Sequence, residues 1–242
     1  MNNWIENNQN GYQTAAQAEN EMTLQRYVAD VMRKVYGKMT LGLLVTALAA
    51  FLVVSSELLM SIFLSSPITF YALAFAELGV VIYLSARIGK MSSTTATVLF
   101  YLYSILNGIT LAPIFLIYTG TSIALTFAIT AGVFGVMSIV GYTTRQDLSK
   151  FGAFMFMALI GLILCMIVNL FLHSSMMTFL ISVAGVLIFV GLTAWDTQAI
   201  KRMCAEADST MVGKVATMGA LMLYLDFINL FLHLLRILGN RN

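Results

Sequence analysis

The chain has 242 residues, of which 60% are hydrophobic and only 10% charged, and its mean hydropathy is +0.88, which excludes a soluble globular domain with an ordinary charged surface. A formal net charge of +2, with no basic patch interleaved with aromatic residues, sets nucleic acid aside as a partner. The two cysteines, Cys165 in an apolar run and Cys204 in a polar loop, form neither a disulfide framework nor a CxxC metal or redox site.

Residues 1–20 are rich in Asn, Gln and Glu and lack the apolar core of a secretory signal, so they read as a disordered cytoplasmic tail. Residues 21–38 place Leu24, Val28, Val31, Met32 and Val35 at helical spacing among basic residues. That pattern predicts an amphipathic helix lying at the membrane interface. From 39 to 239 the sequence reads as one all-α, polytopic membrane domain. A hydrocarbon core roughly 30 Å thick needs about 20 apolar residues of helix, and runs of about that length occur at 39–56, 68–86, 96–117, 122–141, 151–172 and 176–194. A more polar seventh run follows at 212–238. Pro67 can open the second span, and Pro113 lies within the third, where it can kink the helix.

The basic residues set the orientation. Arg26, Arg33, Lys34 and Lys38 precede the first span, Arg87 and Lys90 follow the second, Arg145 and Lys150 the fourth, and Lys201, Arg202 and Lys214 the sixth. The intervening loops at 57–67, 118–121 and 173–175 contain no Lys or Arg. The positive-inside rule therefore predicts a cytoplasmic amino terminus. Arg236 and Arg241 sit at the carboxyl end and leave two readings of the last helix, a full crossing or a re-entrant element. Short loops without a signal peptide fit a bacterial plasma membrane first and an intracellular eukaryotic membrane as the alternative.

Of the 11 acidic residues, only Glu77, Asp196 and Asp226 fall within or at the edge of a span. An ionised carboxylate in hydrocarbon costs several kcal/mol, so such groups face a cavity or a partner and are functional candidates by position. Asp226, Asn229, His233 and Arg236 recur at spacings that put them on one helical face, opposite Leu, Ile and Phe. Such a stripe either lines a polar path or serves as interhelical hydrogen bonding. Asp196 closes the sixth run just before Lys201 and Arg202, so taken alone it reads equally as a solvated or ion-paired boundary residue. Glu77 lies in mid-span with no basic residue within a turn, and Arg87 reads first as an interfacial anchor. Asn107, Asn169 and His173 read as satisfied helix-contact or loop residues.

Enzyme chemistry finds no support. HExxH, GxSxG and Walker A patterns are missing, and the Gly-x-Gly-Asp motif of intramembrane aspartyl proteases is missing too, because Asp196 follows Ala-Trp and Asp226 follows Tyr-Leu. No cofactor is implied.

Three segments together resemble the Bax inhibitor-1 family: Arg33-Lys34-Val35-Tyr36-Gly37, Thr193-Ala194-Trp195-Asp196-Thr197-Gln198, and Tyr224-Leu225-Asp226-Phe227-Ile228-Asn229-Leu230-Phe231. The resemblance spans residues 31–239 and departs from the family pattern at Trp195, where Tyr is usual. It implies six helices around a more polar seventh, and a pH-sensitive calcium leak. In that picture Asp196 and Asp226 form a paired carboxylate site near the cytoplasmic side, and Glu77 and Arg87 match an acidic and a basic residue on the second helix. Two adjoining carboxylates cannot both ionise cheaply, so a shared proton would make the pair a sensor, and their oxygens would hold calcium weakly. The expected partners are calcium as the transported ion and the lipid bilayer. Competing classes are a non-conducting regulator that binds another membrane protein, such as a quality-control protease, and a proton-coupled transporter.

Overall fold

The computed structural model describes residues 2–65, 67–208 and 210–242, and among these it contains helices and no strand. In chain order the helices are α1 (Asn2–Ser55), α2 (Glu57–Ser65), α3 (Pro67–Arg87), α4 (Ser93–Leu111), α5 (Ile114–Ile117), α6 (Gly120–Thr143), α7 (Ser149–Leu172), α8 (Ser175–Glu206) and α9 (Val212–Leu238). Seven membrane-length apolar segments follow: one each in α1, α3, α6, α7, α8 and α9, and one that joins α4 and α5. Pro113 produces the break between α4 and α5. It ends the α4 ladder, and its carbonyl starts the next turn by accepting from Leu116 and Ile117.

The first helix differs from expectation. Its backbone runs unbroken from Asn2 and takes in the residues read as a disordered tail, of which Met1 lies outside the described residues. Nor does 21–38 form a separate interfacial helix, because Val28, Val31, Met32 and Val35 are buried in the core. Their apolar stripe is continuous with that of the first span, so one helix uses one face to pack on the bundle.

At the centre stands α9. Two thirds of its spanning window, 67%, is buried, against 6% for α3 and 11% for α7. It packs directly on α1, α4, α6 and α8, while α3 leans on α4 and α7 on α8. Hydrophobicity does not drive helix association inside lipid, so close backbone approach must. Glycine supplies that approach at two crossings. A Cβ at Gly141 would collide with the Ala194 carbonyl of α8, and one at Gly108 with the Thr46 carbonyl of α1.

The helix ends are tied separately on the two sides. At the basic end, Lys214 Nζ donates to Gly89 O at 3.1 Å and Tyr27 Oη to Ala207 O at 2.9 Å. Lys38, half-buried, donates to Thr97 and Thr217 and so joins α1, α4 and α9. At the other end the carboxyl-terminal residues dock on the α5–α6 junction. Thr119 N donates to Asn240 O at 3.1 Å, Asn242 N to Ile117 O at 3.0 Å, and Asn240 N to Ser122 Oγ at 3.0 Å. The last helix therefore crosses completely, its 27 residues rising about 40 Å, and the chain ends on the side opposite the basic loops.

Replacing Gly141 by Ala should lower stability by about 1 to 3 kcal/mol through overpacking. At Gly132, where a Cβ meets nothing within 4 Å, the same change should raise it by up to about 1 kcal/mol, as helix propensity dictates. Thermal unfolding of the two variants in one detergent checks both signs.

Candidate functional site

The sixth apolar run does not end its helix at 194, because α8 continues to Glu206 and carries Asp196, Gln198 and Cys204 as helical, buried residues. Cys204 is thus a core residue rather than a loop thiol. Around Asp196 the helix is embedded on several sides. Its neighbour Trp195 lies against Gly152 of α7, where any Cβ would enter the indole, and the Gly141 contact fixes the adjacent turn. One residue on, a rotation of about 100° aims Asp196 away from α7 and toward α9.

There it meets Asp226. The two carboxyl groups lie close enough to share a hydrogen bond, and both are buried, at 7% and 4% exposure. Neither has a basic partner among the described residues. Lys201, the nearest cation in sequence, donates instead to Tyr142 O at 2.8 Å and lies over the Tyr142 ring, and Arg202 Nη1 goes to Asp147 at 2.8 Å. The boundary reading of Asp196 is therefore replaced by an inward one.

Hydrogen-bond satisfaction separates this site from ordinary interhelical polarity. Most buried hydroxyls, such as Thr130, Thr193 and Ser104, bond the carbonyl one turn back. By contrast, of the five buried polar atoms with no hydrogen-bond partner among the described residues, Asp196 Oδ1, Thr197 Oγ1, Asp226 Oδ2 and His233 Nδ1 lie on α8 and α9, and the fifth is Ser138 Oγ on α6. Orphaned polar atoms at such depth are rare in folded proteins and ask for a reason. His233 lies two turns beyond Asp226 toward the far end. Its ring stacks on Phe189 at 5.8 Å and fills the space that the missing side chain of Gly185 leaves. Asn229, between them in sequence, is half-buried and turns its amide to Leu225 O at 2.8 Å on its own helix. Arg236 stands at the end of the stripe, exposed, and lines a cavity of about 510 Å³ together with Asn169, Thr178 and Ile181. Asn169 there donates to Thr178 at 2.8 Å and accepts from Ser174 N, so it is a satisfied contact residue.

Gln198, two residues beyond Asp196 and so on the opposite face of α8, holds the loop between α6 and α7 at two points, accepting from Leu148 N at 2.9 Å and donating to Gln146 O at 2.8 Å. Sequence reasoning quoted Gln198 only as part of a motif. Its role depends on a loop some fifty positions earlier in the chain. Asp147 in that loop is held below its ordinary 3.8, to about 2, first by the Ser149 hydroxyl and backbone N–H and then by Arg202. A carboxyl group lowered in this way contributes its tie above about pH 4 and loses it as pH falls toward 2.

Glu77 and Arg87 are not part of this cluster. Glu77 accepts from Asn107 Nδ2 at 3.1 Å and from the Thr110 hydroxyl, both on α4. Asn107 in turn accepts from Tyr224 Oη at 3.0 Å, and Tyr224 meets the Thr46 hydroxyl at 2.5 Å. This network lies on the α1 and α4 side of α9, the face opposite Asp226. Arg87 is exposed at the end of α3 and makes no ion pair among the described residues.

Fold and site together define a polytopic seven-span membrane protein with a carboxylate pair between its two most buried helices. The profile of a family described as inhibitor of apoptosis-promoting Bax1 matches residues 28–242. The chain belongs to that Bax inhibitor family. It is 49% identical over 221 residues to the inner membrane protein YbhL of Escherichia coli strain K12, covering 90% of this chain and 93% of that one. Protein RP147 of Rickettsia prowazekii is 48% identical over 219 residues, covering 90% and 91%. A Borreliella burgdorferi protein is 47% identical over 212 residues, covering 87% and 91%.

Two outcomes follow from these bonds. Tyr224→Phe should cost about 1 to 3 kcal/mol, because Asn107 and Thr46 lose a buried partner, and equilibrium unfolding reads the loss. A spin label at Arg145 should report an unchanged loop across roughly pH 5 to 8 and new mobility only below about pH 4, as Asp147 takes up its proton.

Proposed function

We propose that this protein is a pH-sensitive calcium leak of a bacterial inner membrane, gated by protonation of the Asp196–Asp226 pair. The observation that carries this reading is the pair itself: two buried carboxyl groups in contact and, among the described residues, no cation beside them and one oxygen on each without a partner. A purely structural contact would be better served by amides or hydroxyls, which carry no ionisation cost in a low-dielectric interior.

A proton shared between the two groups keeps α8 and α9 together. Its loss leaves two like charges in contact, which repel strongly away from water. The helices that carry them are the bistable element that protonation biases. Calcium is the substrate of this pathway. Hard carboxylate oxygens suit it, but it takes six to eight oxygen ligands, and among the described residues no group of three or more candidate ligand side chains occurs. Two carboxylates therefore offer brief, weak coordination, as passage requires and storage does not. The remaining steps are the Arg236 cavity at one end and His233 between it and the pair. The amino terminus is cytoplasmic on the same reading, with the basic loops inside.

Purified protein in calcium-free liposomes tests the proposal. Wild type should admit calcium at a rate that changes across roughly pH 5 to 8, and Asp226→Asn and Asp196→Asn should each reduce that change to near none. Flux with an unaltered pH profile in both variants overturns the sensor. No flux above empty liposomes at any pH overturns the leak and favours the non-conducting regulator.

A further inference from the structure

The helices α1 and α6 both pack on α9 but, among the described residues, make at most a marginal contact with each other, and a lateral groove lies between them. Its volume is about 650 Å³, and its walls are almost wholly apolar. Phe134 and Phe227 form the floor, with ring centroids 5.4 Å apart. Along α1 the groove runs from Ala29 to Leu43, a rise of about 21 Å, and the roughly 15 Å of it from Arg33 inward is half of a hydrocarbon core roughly 30 Å thick. It therefore spans one leaflet, and a second cavity that shares Leu43, Phe127 and Phe227 continues it toward the other.

Two features identify the occupant. The first is charge at the mouth. Arg33 lines the basic end, and its one partner among the described residues, Asp30 at 3.3 Å, is an exposed i,i+3 contact that leaves most guanidinium donors free. Tyr142 lines the other lip, with the Lys201 ammonium 4.7 Å from its ring centroid. Basic pockets between spans on this side suit anionic headgroups. The second is Ser138. It lines the groove and is buried, and unlike Thr130 and Thr143 on the same helix it leaves its hydroxyl without any partner. It lies more than a turn below Thr143, the depth of an ester carbonyl beneath a phosphate at the lip.

We propose that the α1–α6 groove binds one anionic glycerophospholipid of the basic-side leaflet. Its phosphate meets Arg33, an ester carbonyl accepts from Ser138, and an acyl chain lies over Phe227. The site is independent of the calcium reading, since lipid retention is measured without flux.

Gly135 allows a clean test, because it lines the groove and a Cβ there meets no atom within 4 Å. The purified full chain is exchanged with phosphatidylglycerol or phosphatidylcholine of identical acyl chains, and retained lipid is counted by native mass spectrometry. Wild type should keep one phosphatidylglycerol in preference to phosphatidylcholine. Arg33→Gln should cut phosphatidylglycerol retention roughly fivefold and leave phosphatidylcholine unchanged, the effect of one arginine at a membrane surface. Gly135→Phe should abolish retention of both, and Ala131→Phe fills the same groove one turn away, so whichever variant keeps the wild-type helix content decides. Undiminished retention in the filled groove, or no headgroup preference in wild type, overturns the proposal. A wild-type dimer that the filling variant breaks, with no bound lipid, overturns it too and gives the groove to a second copy.

Discussion

The structure is organised around one costly contact, two carboxyl groups buried against each other between α8 and α9 with no counter-charge among the described residues. Several kcal/mol oppose such burial, and hydrophobic attraction between helices is not available inside lipid to offset it. The offset comes from packing close enough to exclude other arrangements. Gly141 brings α6 onto the Ala194 backbone, Gly152 seats Trp195, and Gly185 admits the His233 ring. Each of these glycines removes a side chain at a point where the helix carrying an aspartate or its neighbour must approach another. The ties at the basic end, through Gln198, Lys201 and Arg202, then hold α8 against the end of α6 and the α6–α7 loop.

Polar residues elsewhere in the bundle do a different job, and the difference is visible in their bonds. The Glu77, Asn107, Tyr224 and Thr46 network closes on itself and links α3, α4, α9 and α1. A closed network in low dielectric rigidifies what it joins. The α8–α9 cluster is open, with four atoms unpaired. Polar groups that only glue helices together are expected to find partners. Groups kept unpaired are the ones able to change partner, charge or ligand.

The spans, their number and the all-α class were readable from sequence because hydropathy over about 20 residues is a strong local signal. Asp226 and His233 were readable on one face because helical periodicity is local too. What escaped was whatever depends on long-range packing. The end of α8 lies at Glu206 rather than near 194, because its polar last turns bond a loop instead of lipid, and hydropathy sees only the lipid. The same extension turned Asp196 from a boundary residue into a buried one. Glu77 looked like a member of the site by virtue of being acidic and in mid-span, but its partners sit on α4 and face the other side of α9. Residues 21–38 read as interfacial because their basic residues were as evident as their apolar stripe. That stripe is core, and the charges are the end of a helix that protrudes past the membrane.

The central helix joins these parts mechanically. Successive residues of α9 are rotated by about 100°, so Tyr224 faces α1 and α4, Asp226 faces α8, and Phe227 faces α6 and the lateral groove. Within four residues, one helix touches the closed network, the carboxylate pair and the lipid-facing gap. A rigid rotation of α9 that parts Asp226 from Asp196 must also strain the Tyr224 hydroxyl bonds and move Phe227 across the groove floor. Whatever fills that groove, or holds that tyrosine, therefore contributes to the free energy of the motion at the carboxylates, and the coupling is reciprocal. It requires no chain of intermediate residues, because the three surfaces belong to a single rigid element.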